Sequence, residues 1–122
     1  MSLVILSAKQ LNNLRTVEIK KQNKKKYYIA IKYFNNAIKA NPKYPNAFLG
    51  RGIAKNQIGD DRGAIADYNK AIKLDPNYAR AYLGRGLSKK LLGDIDEACL
   101  DLSKAGELGY DDAYRLIQQY CN

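Results

Sequence analysis

The strongest constraint on this chain is that it repeats itself. Residues 45–78 laid over residues 79–112, a shift of 34, pair Ala47 with Ala81, Leu49 with Leu83, Gly50 with Gly84, Arg51 with Arg85 and Gly52 with Gly86. Further on, Gly59 and Asp60 meet Gly93 and Asp94, Ala64 meets Ala98, Asp67 meets Asp101, and Ala71 meets Ala105. Identity at a fixed period of this length points to stacked supersecondary units, each too small to bury its own apolar face.

Each unit reads as a pair of helices. Ala64, Ile65, Tyr68, Ala71 and Ile72 recur at i, i+1, i+4, i+7 and i+8, which puts them on one helical stripe. Ala98, Cys99, Leu102 and Ala105 repeat it downstream. Ala30, Ile31, Phe34, Ala37 and Ile38 repeat it upstream, so there are three units. Gly59-Asp60 and Gly93-Asp94 separate the helices within a unit, because glycine takes the left-handed turn that ends one helix and aspartate caps the next. Pro42 and Pro76 punctuate the joins between units.

This arrangement resembles the tetratricopeptide repeat family. The resemblance rests on Phe48, Gly52, Ala64, Tyr68, Ala71 and Pro76 in the middle unit, and on Tyr82, Gly86, Ala98, Leu102 and Ala105 in the last. It implies an all-α fold, a right-handed α-solenoid of three antiparallel helix pairs plus a C-terminal capping helix. The expected layout is one domain over 1–122: an extension at 1–10, a degenerate first repeat at 11–44, repeats at 45–78 and 79–112, and the cap at 113–122. In the first repeat Glu18 replaces a small residue and Lys25-Lys26 replaces Gly-Asp. A first helix over about 8–23 is expected there, with the basic run Lys20, Lys21, Lys24, Lys25 and Lys26 near the turn. Ala113, Leu116, Ile117 and Tyr120 are spaced as the closing helix.

In the family, the first helices of successive units line a concave face that holds a peptide or a partner's helix. Carried over by position, that groove is Arg15 and Ile19, then Asn46, Leu49, Ile53 and Asn56, then Arg80, Leu83, Leu87 and Lys90. Leu49, Ile53, Leu83 and Leu87 would form an apolar strip with a basic rim, suited to an amphipathic segment carrying acidic residues. Gly50 and Gly84 would leave dents in it. The strip could instead be filled by Leu3 to Leu6 of the same or another copy. A carboxylate clamp known in some members would fall on Arg15, Ile19, Gly50, Arg80 and Gly84; it lacks its asparagines and final arginine and is not expected.

Arg51 and Arg85 each precede an aspartate, Asp67 and Asp101, by 16 residues. The expectation is a structural ion pair inside each repeat, with an arginine pair facing an anionic ligand as the alternative. Nothing points to an enzyme, a metal or a cofactor. Histidine is absent, which removes the commonest general base and transition-metal ligand. Gly50-Arg51-Gly52 lacks the strand and the remaining residues of a phosphate loop.

The formal net charge of +9 is concentrated at the N-terminus, where residues 1–44 carry ten Lys and Arg against Glu18 alone. Two alternatives to groove binding follow: a contact with nucleic acid or an anionic surface through Lys20 to Lys26, and self-association through imperfect repeat ends. The two cysteines form no CxxC pair; Cys99 is expected as a small buried hydrophobe and Cys121 as a surface thiol. The longest apolar run is far short of a membrane span and lacks a signal layout, so the expected location is cytoplasmic.

Overall fold

The computed structural model describes residues 6–121. The chain runs through α1 (Ala8–Ala40), α2 (Pro45–Gln57), α3 (Asp61–Leu74), α4 (Ala79–Leu91), α5 (Ile95–Glu107) and α6 (Asp112–Tyr120), with no strand among the described residues. Each helix packs on the next, and α2 also touches α4 directly, which makes those two the inner layer of a short solenoid.

Local chemistry sets the ends. Ser7 and Gln10 form a reciprocal capping box that starts α1. Pro45 opens α2, where its missing N–H costs nothing. Gly59 and Gly93 end α2 and α4 at φ 87° and 90°, and Gly109 does the same after α5 at 104°. The Asp60 carboxylate accepts from the Gly63 N–H at 3.0 Å, whereas Asp94 and Asp111 cap nothing through their side chains.

The repeated stripes are the packed faces. Ala64, Tyr68 and Ala71 are buried between α2 and α4, with Phe48, Leu49 and Ala81 closing the same cluster. Small residues mark the close crossings. A Cβ at Gly52 would lie 2.7 Å from the Tyr68 ring, and one at Gly86 would lie 3.1 Å from the Ala98 carbonyl oxygen.

The first unit is built differently from the expected helix pair. α1 is one helix of 33 residues, with no turn at Lys25-Lys26. Its second half supplies the expected stripe, since Ala30, Ile31, Phe34, Ala37 and Ile38 are half-buried against α2. Its first half, residues 8–26, is exposed throughout. The reason is local: that stretch has no glycine, proline or capping aspartate to stop a helix, so the hydrogen-bond ladder continues. The structure therefore has two closed helix pairs, α2–α3 and α4–α5, between a long entering helix and a short closing one. The closing helix lies where expected, with Ala113 fully buried.

Cys99 and Cys121 form a disulfide between α5 and the end of α6, which corrects the expectation of two unpaired cysteines. Of Leu3 to Leu6, offered as a filler for the groove, all but Leu6 lie outside the described residues.

Candidate functional site

Between α2 and α4 lies a hollow of about 350 Å³ lined by Ile53, Asn56, Gln57, Tyr68, Arg80, Leu83, Gly84, Leu87, Leu91 and Tyr110. Five of the expected groove residues meet there: Ile53, Asn56, Arg80, Leu83 and Leu87. Ile53 and Leu91 are exposed, at 37% and 64%.

Others do not join them. Leu49 is buried in the core cluster at 4% exposure, so the apolar strip starts at Ile53 rather than one turn earlier. Arg15 and Ile19 sit on the exposed half of α1, away from the hollow, because that half continues straight instead of folding back as a first helix. Asn46 accepts from the Tyr78 hydroxyl at 2.7 Å and donates to the Tyr44 hydroxyl at 3.3 Å, near the start of α2. The Lys90 ammonium lies 3.4 Å from the centroid of the Tyr120 ring on α6.

The expected dents at Gly50 and Gly84 are occupied. The Phe34 ring fills the space over Gly50, and the Tyr68 ring lies where a Cβ on Gly84 would come within 2.7 Å. Tyr68 thus forms the floor of the hollow. Its hydroxyl donates to Asn56 Oδ1 at 2.6 Å. The Asn56 amide donates in turn to Asp61 Oδ1 at 2.9 Å and Ser88 Oγ at 2.8 Å. Ser88 donates to the Gly84 carbonyl of its own helix at 2.9 Å, and the Asn56 contacts tie α4 to α2 and α3. Burial first, then the charges of Asp67 and Asp61, push the Tyr68 phenol well above its ordinary value, so the floor is neutral.

Tyr68 reads in sequence as one more aromatic of the core stripe. Its double duty is visible only once the glycine opposite it is known to be filled. Tyr110 and Leu91 join the hollow at its C-terminal end, Tyr110 standing in the last unit where the others have proline.

The arginines lie behind this face. Arg51 donates through Nε and Nη2 to both carboxylate oxygens of Asp67, at 2.9 and 2.7 Å, and through Nη1 to Asn35 on α1 at 2.9 Å. Arg85 repeats the set with Asp101 and Asn69 at the same distances. Lys55 and Lys89 add a further contact to each carboxylate, at 3.0 and 3.3 Å. The carboxylates are buried, so a bidentate partner with a second cation is what such a charge requires. The asparagines add something the sequence reading missed: each arginine reaches back to the preceding unit, linking neighbours in the stack.

On α1, Lys20, Lys21, Lys24, Lys25 and Lys26 are all exposed on the free stretch of helix rather than at a turn. A shallow hollow of about 420 Å³ on this helix is lined by Lys21, Lys24, Lys25, Tyr28, Ile29 and Lys32. Among the described residues no cluster of side chains could hold a metal ion, and no helix is long and apolar enough to cross a membrane.

Known proteins place this geometry. A family model described as TPR repeat matches residues 54–93. The first tetratricopeptide domain of Spaghetti (RPAP3), bound to the HSP90 peptide SRMEEVD, is similar at a TM-score of 0.75 and 25% identity, over 85% of this chain and 88% of that one. The second such domain of human RPAP3, in complex with the HSP70 peptide SGPTIEEVD, is similar at 0.74 and 25%, over 84% and 92%. The Arabidopsis OM64 domain, at 0.72 and 24% over 88% and 98%, shares the fold. No curated protein matches by sequence. Over residues 54–93 and in its fold the chain is similar to tetratricopeptide-repeat domains, its six helices among the described residues being arranged as in the domains solved with the HSP90 and HSP70 peptides.

Proposed function

We propose that this chain is a non-catalytic scaffold that binds an apolar, partly acidic segment of another protein in the hollow between α2 and α4. The observation that carries this reading is the meeting of Ile53, Leu83, Leu87 and Leu91 around Tyr68, with Arg80 as the cation at the rim. An open, mostly apolar groove with sparse fixed charge suits an amphipathic segment whose leucine-type side chains enter while its carboxylates face the rim. The related domains solved with SRMEEVD and SGPTIEEVD hold peptides of that composition. Of the clamp positions only Arg80 brings a polar side chain to the hollow: Gly50 and Gly84 carry none, and Arg15 and Ile19 stand apart. Recognition here therefore relies on side chains along the segment rather than on a clamped terminal carboxylate.

Selection of a random-peptide display library on the immobilised chain tests this. The expected outcome is enrichment of sequences pairing leucine-type residues with glutamate or aspartate, lost on a Leu83→Glu/Leu87→Glu variant of unchanged helicity. Enrichment that survives in that variant would refute the groove. As to compartment, the cytoplasm is the setting we assign. The Cys99–Cys121 bridge is the observation against it, since thiols there are kept reduced.

A second reading rests on α1, whose free half presents five lysines between residues 20 and 26 with only Glu18 nearby. A polyanion such as duplex nucleic acid would meet that helix through phosphate contacts. Its affinity would then fall by orders of magnitude between about 50 and 200 mM salt. Anisotropy of a labelled duplex across that range, with Lys24→Gln/Lys25→Gln alongside, decides it. Salt-independent binding, or binding untouched by the variant, removes it.

A further inference from the structure

The closing helix α6 joins the disulfide to the rim of the groove. Cys121 caps α6 and is bonded to Cys99 on α5. One residue earlier, the Tyr120 ring holds the Lys90 ammonium at 3.4 Å. At the other end of α6, Tyr110 lines the hollow beside Leu87 and Leu91. Lys90 belongs to the same inner helix as Arg80, yet only Arg80 lines the hollow. A helix of nine residues does not persist alone in water, so its last turn depends on what ties it down. Its start and middle are tied by the buried Ala113, the Tyr114 ring against Gly106, and the half-buried Leu116 and Ile117. At its far end the ties are the bridge and the Tyr120–Lys90 contact.

We propose that the Cys99–Cys121 bridge is a redox latch on the groove. Closed, it keeps Tyr120 under Lys90 and holds that ammonium out of the concave face. Opened to the dithiol, it frees the last turn of α6 and releases Lys90 to join Arg80 against an acidic ligand. The effect on ligand binding rests on the groove reading above, whereas the latch itself can be observed without any ligand.

The bridge is placed to be opened. Both cysteines are half-buried, and they face a surface hollow of about 360 Å³ with Ile95, Asp96 and Leu100. The reductant is a dithiol, small or protein-borne. Its thiolate attacks one cysteine sulfur, and the electron pair of the broken S–S bond leaves on the other cysteine, which takes a proton. The reductant's second thiolate then attacks the mixed disulfide, freeing the first cysteine, which is protonated. Two electrons and two protons pass to the protein, and the reductant ends as its own disulfide.

The experiment compares the air-oxidised chain with the same chain in dithiothreitol, reading amide hydrogen exchange over Asp112–Tyr120 and the rate of Lys90 acylation by an amine-reactive ester. Reduction is expected to raise exchange in α6 at least tenfold and Lys90 acylation severalfold, with α2 and α3 unchanged. Cys121→Ser should show the open values with no reductant. Tyr120→Leu should raise Lys90 acylation while the bridge is intact. Two free thiols in the oxidised chain, or exchange and acylation indifferent to reductant, would overturn the latch. A labelled peptide of three Leu-Glu-Glu-Leu units then reads its effect on the groove. It should bind the reduced chain severalfold more tightly than the oxidised chain. Equal binding to both overturns the regulation, and binding to neither overturns the groove reading itself, even where exchange shows the latch opening.

Discussion

The Tyr68 hydroxyl donates a 2.6 Å hydrogen bond to Oδ1 of Asn56, and this contact joins the core of the stack to the floor of its groove. The ring seals Gly84 from below, while Asn56 carries the connection on to Asp61 and Ser88. One side chain thus fixes the spacing of α2, α3 and α4 at the point where a ligand would rest.

Tyr68→Phe keeps the ring and removes the bond, so at neutral pH it should cost about 1–2 kcal/mol in urea unfolding. The alkaline limb is the more specific test. The folded state holds the Tyr68 proton above its ordinary value of 10.0, chiefly through burial. Its contribution is therefore complete below the unfolded-state value and is lost as pH rises past it. Between about pH 10 and 11 the wild type should lose about 1 kcal/mol more stability than Tyr68→Phe. Parallel alkaline limbs for the two chains would show that the buried phenol is not what titrates.

Gly84→Ala sets two effects against each other. In a helix interior the added methyl contributes about 1 kcal/mol through propensity. Here the new Cβ would lie 2.7 Å from a ring that is only 1% exposed and is held by its hydrogen bond to Asn56, and overpacking of that kind costs about 1–3 kcal/mol. The collision should win, giving a net loss of Tm together with a changed near-ultraviolet signal from the displaced tyrosine. An unchanged or raised Tm would mean that the floor is softer than its packing indicates.

The ion pairs predict graded costs. Arg51→Ala strips the bidentate partner from Asp67 but leaves Lys55 at 3.0 Å, so the carboxylate keeps one cation. A loss of about 2–3 kcal/mol is expected, below the 3–5 kcal/mol typical of a buried charge left alone. Arg51→Ala/Lys55→Ala should reach that higher range. Additivity of the two single changes in a double-mutant cycle, with no excess cost in the pair, would show that the carboxylate is solvated well enough to stand alone.

How much of this could be read from the letters depended on whether the signal was local. Gly59-Asp60 and Gly93-Asp94 announce their turns because a left-handed glycine acts within a few residues, joined at Asp60 by a capping carboxylate, and those turns are where the repeat puts them. The arginine–aspartate spacing of 16 was equally visible, whereas Asn35 and Asn69 needed the packing of one unit on the next. Leu49 was misjudged because inner and outer faces of α2 differ by about one helical position, and periodicity alone does not say which neighbour covers it. The disulfide was invisible for a related reason: Cys99 and Cys121 meet only through the angle at which α6 returns along α5. The first unit misled because the repeat was carried past the point where its turn chemistry stops. Lys25 and Lys26 replace the glycine and aspartate, and the helix simply continues.

That continuation gives the last prediction. Every residue from 8 to 26 is exposed, including Leu11, Leu14 and Val17 at about half their full surface, so this half of α1 contributes no burial to the core. Deleting residues 1–19 should leave the unfolding midpoint of the remaining stack within about 0.5 kcal/mol of the full chain, the range of a surface change. Helical circular dichroism should fall by the share of the removed turns. A drop of several kcal/mol would instead mean that these residues fold back as the missing first helix and cover Ile29 and Tyr33. Lys25→Gly/Lys26→Asp, which restores the turn of the other two units, should then raise stability further. With a free helix the same variant should only interrupt α1 and lower its helicity.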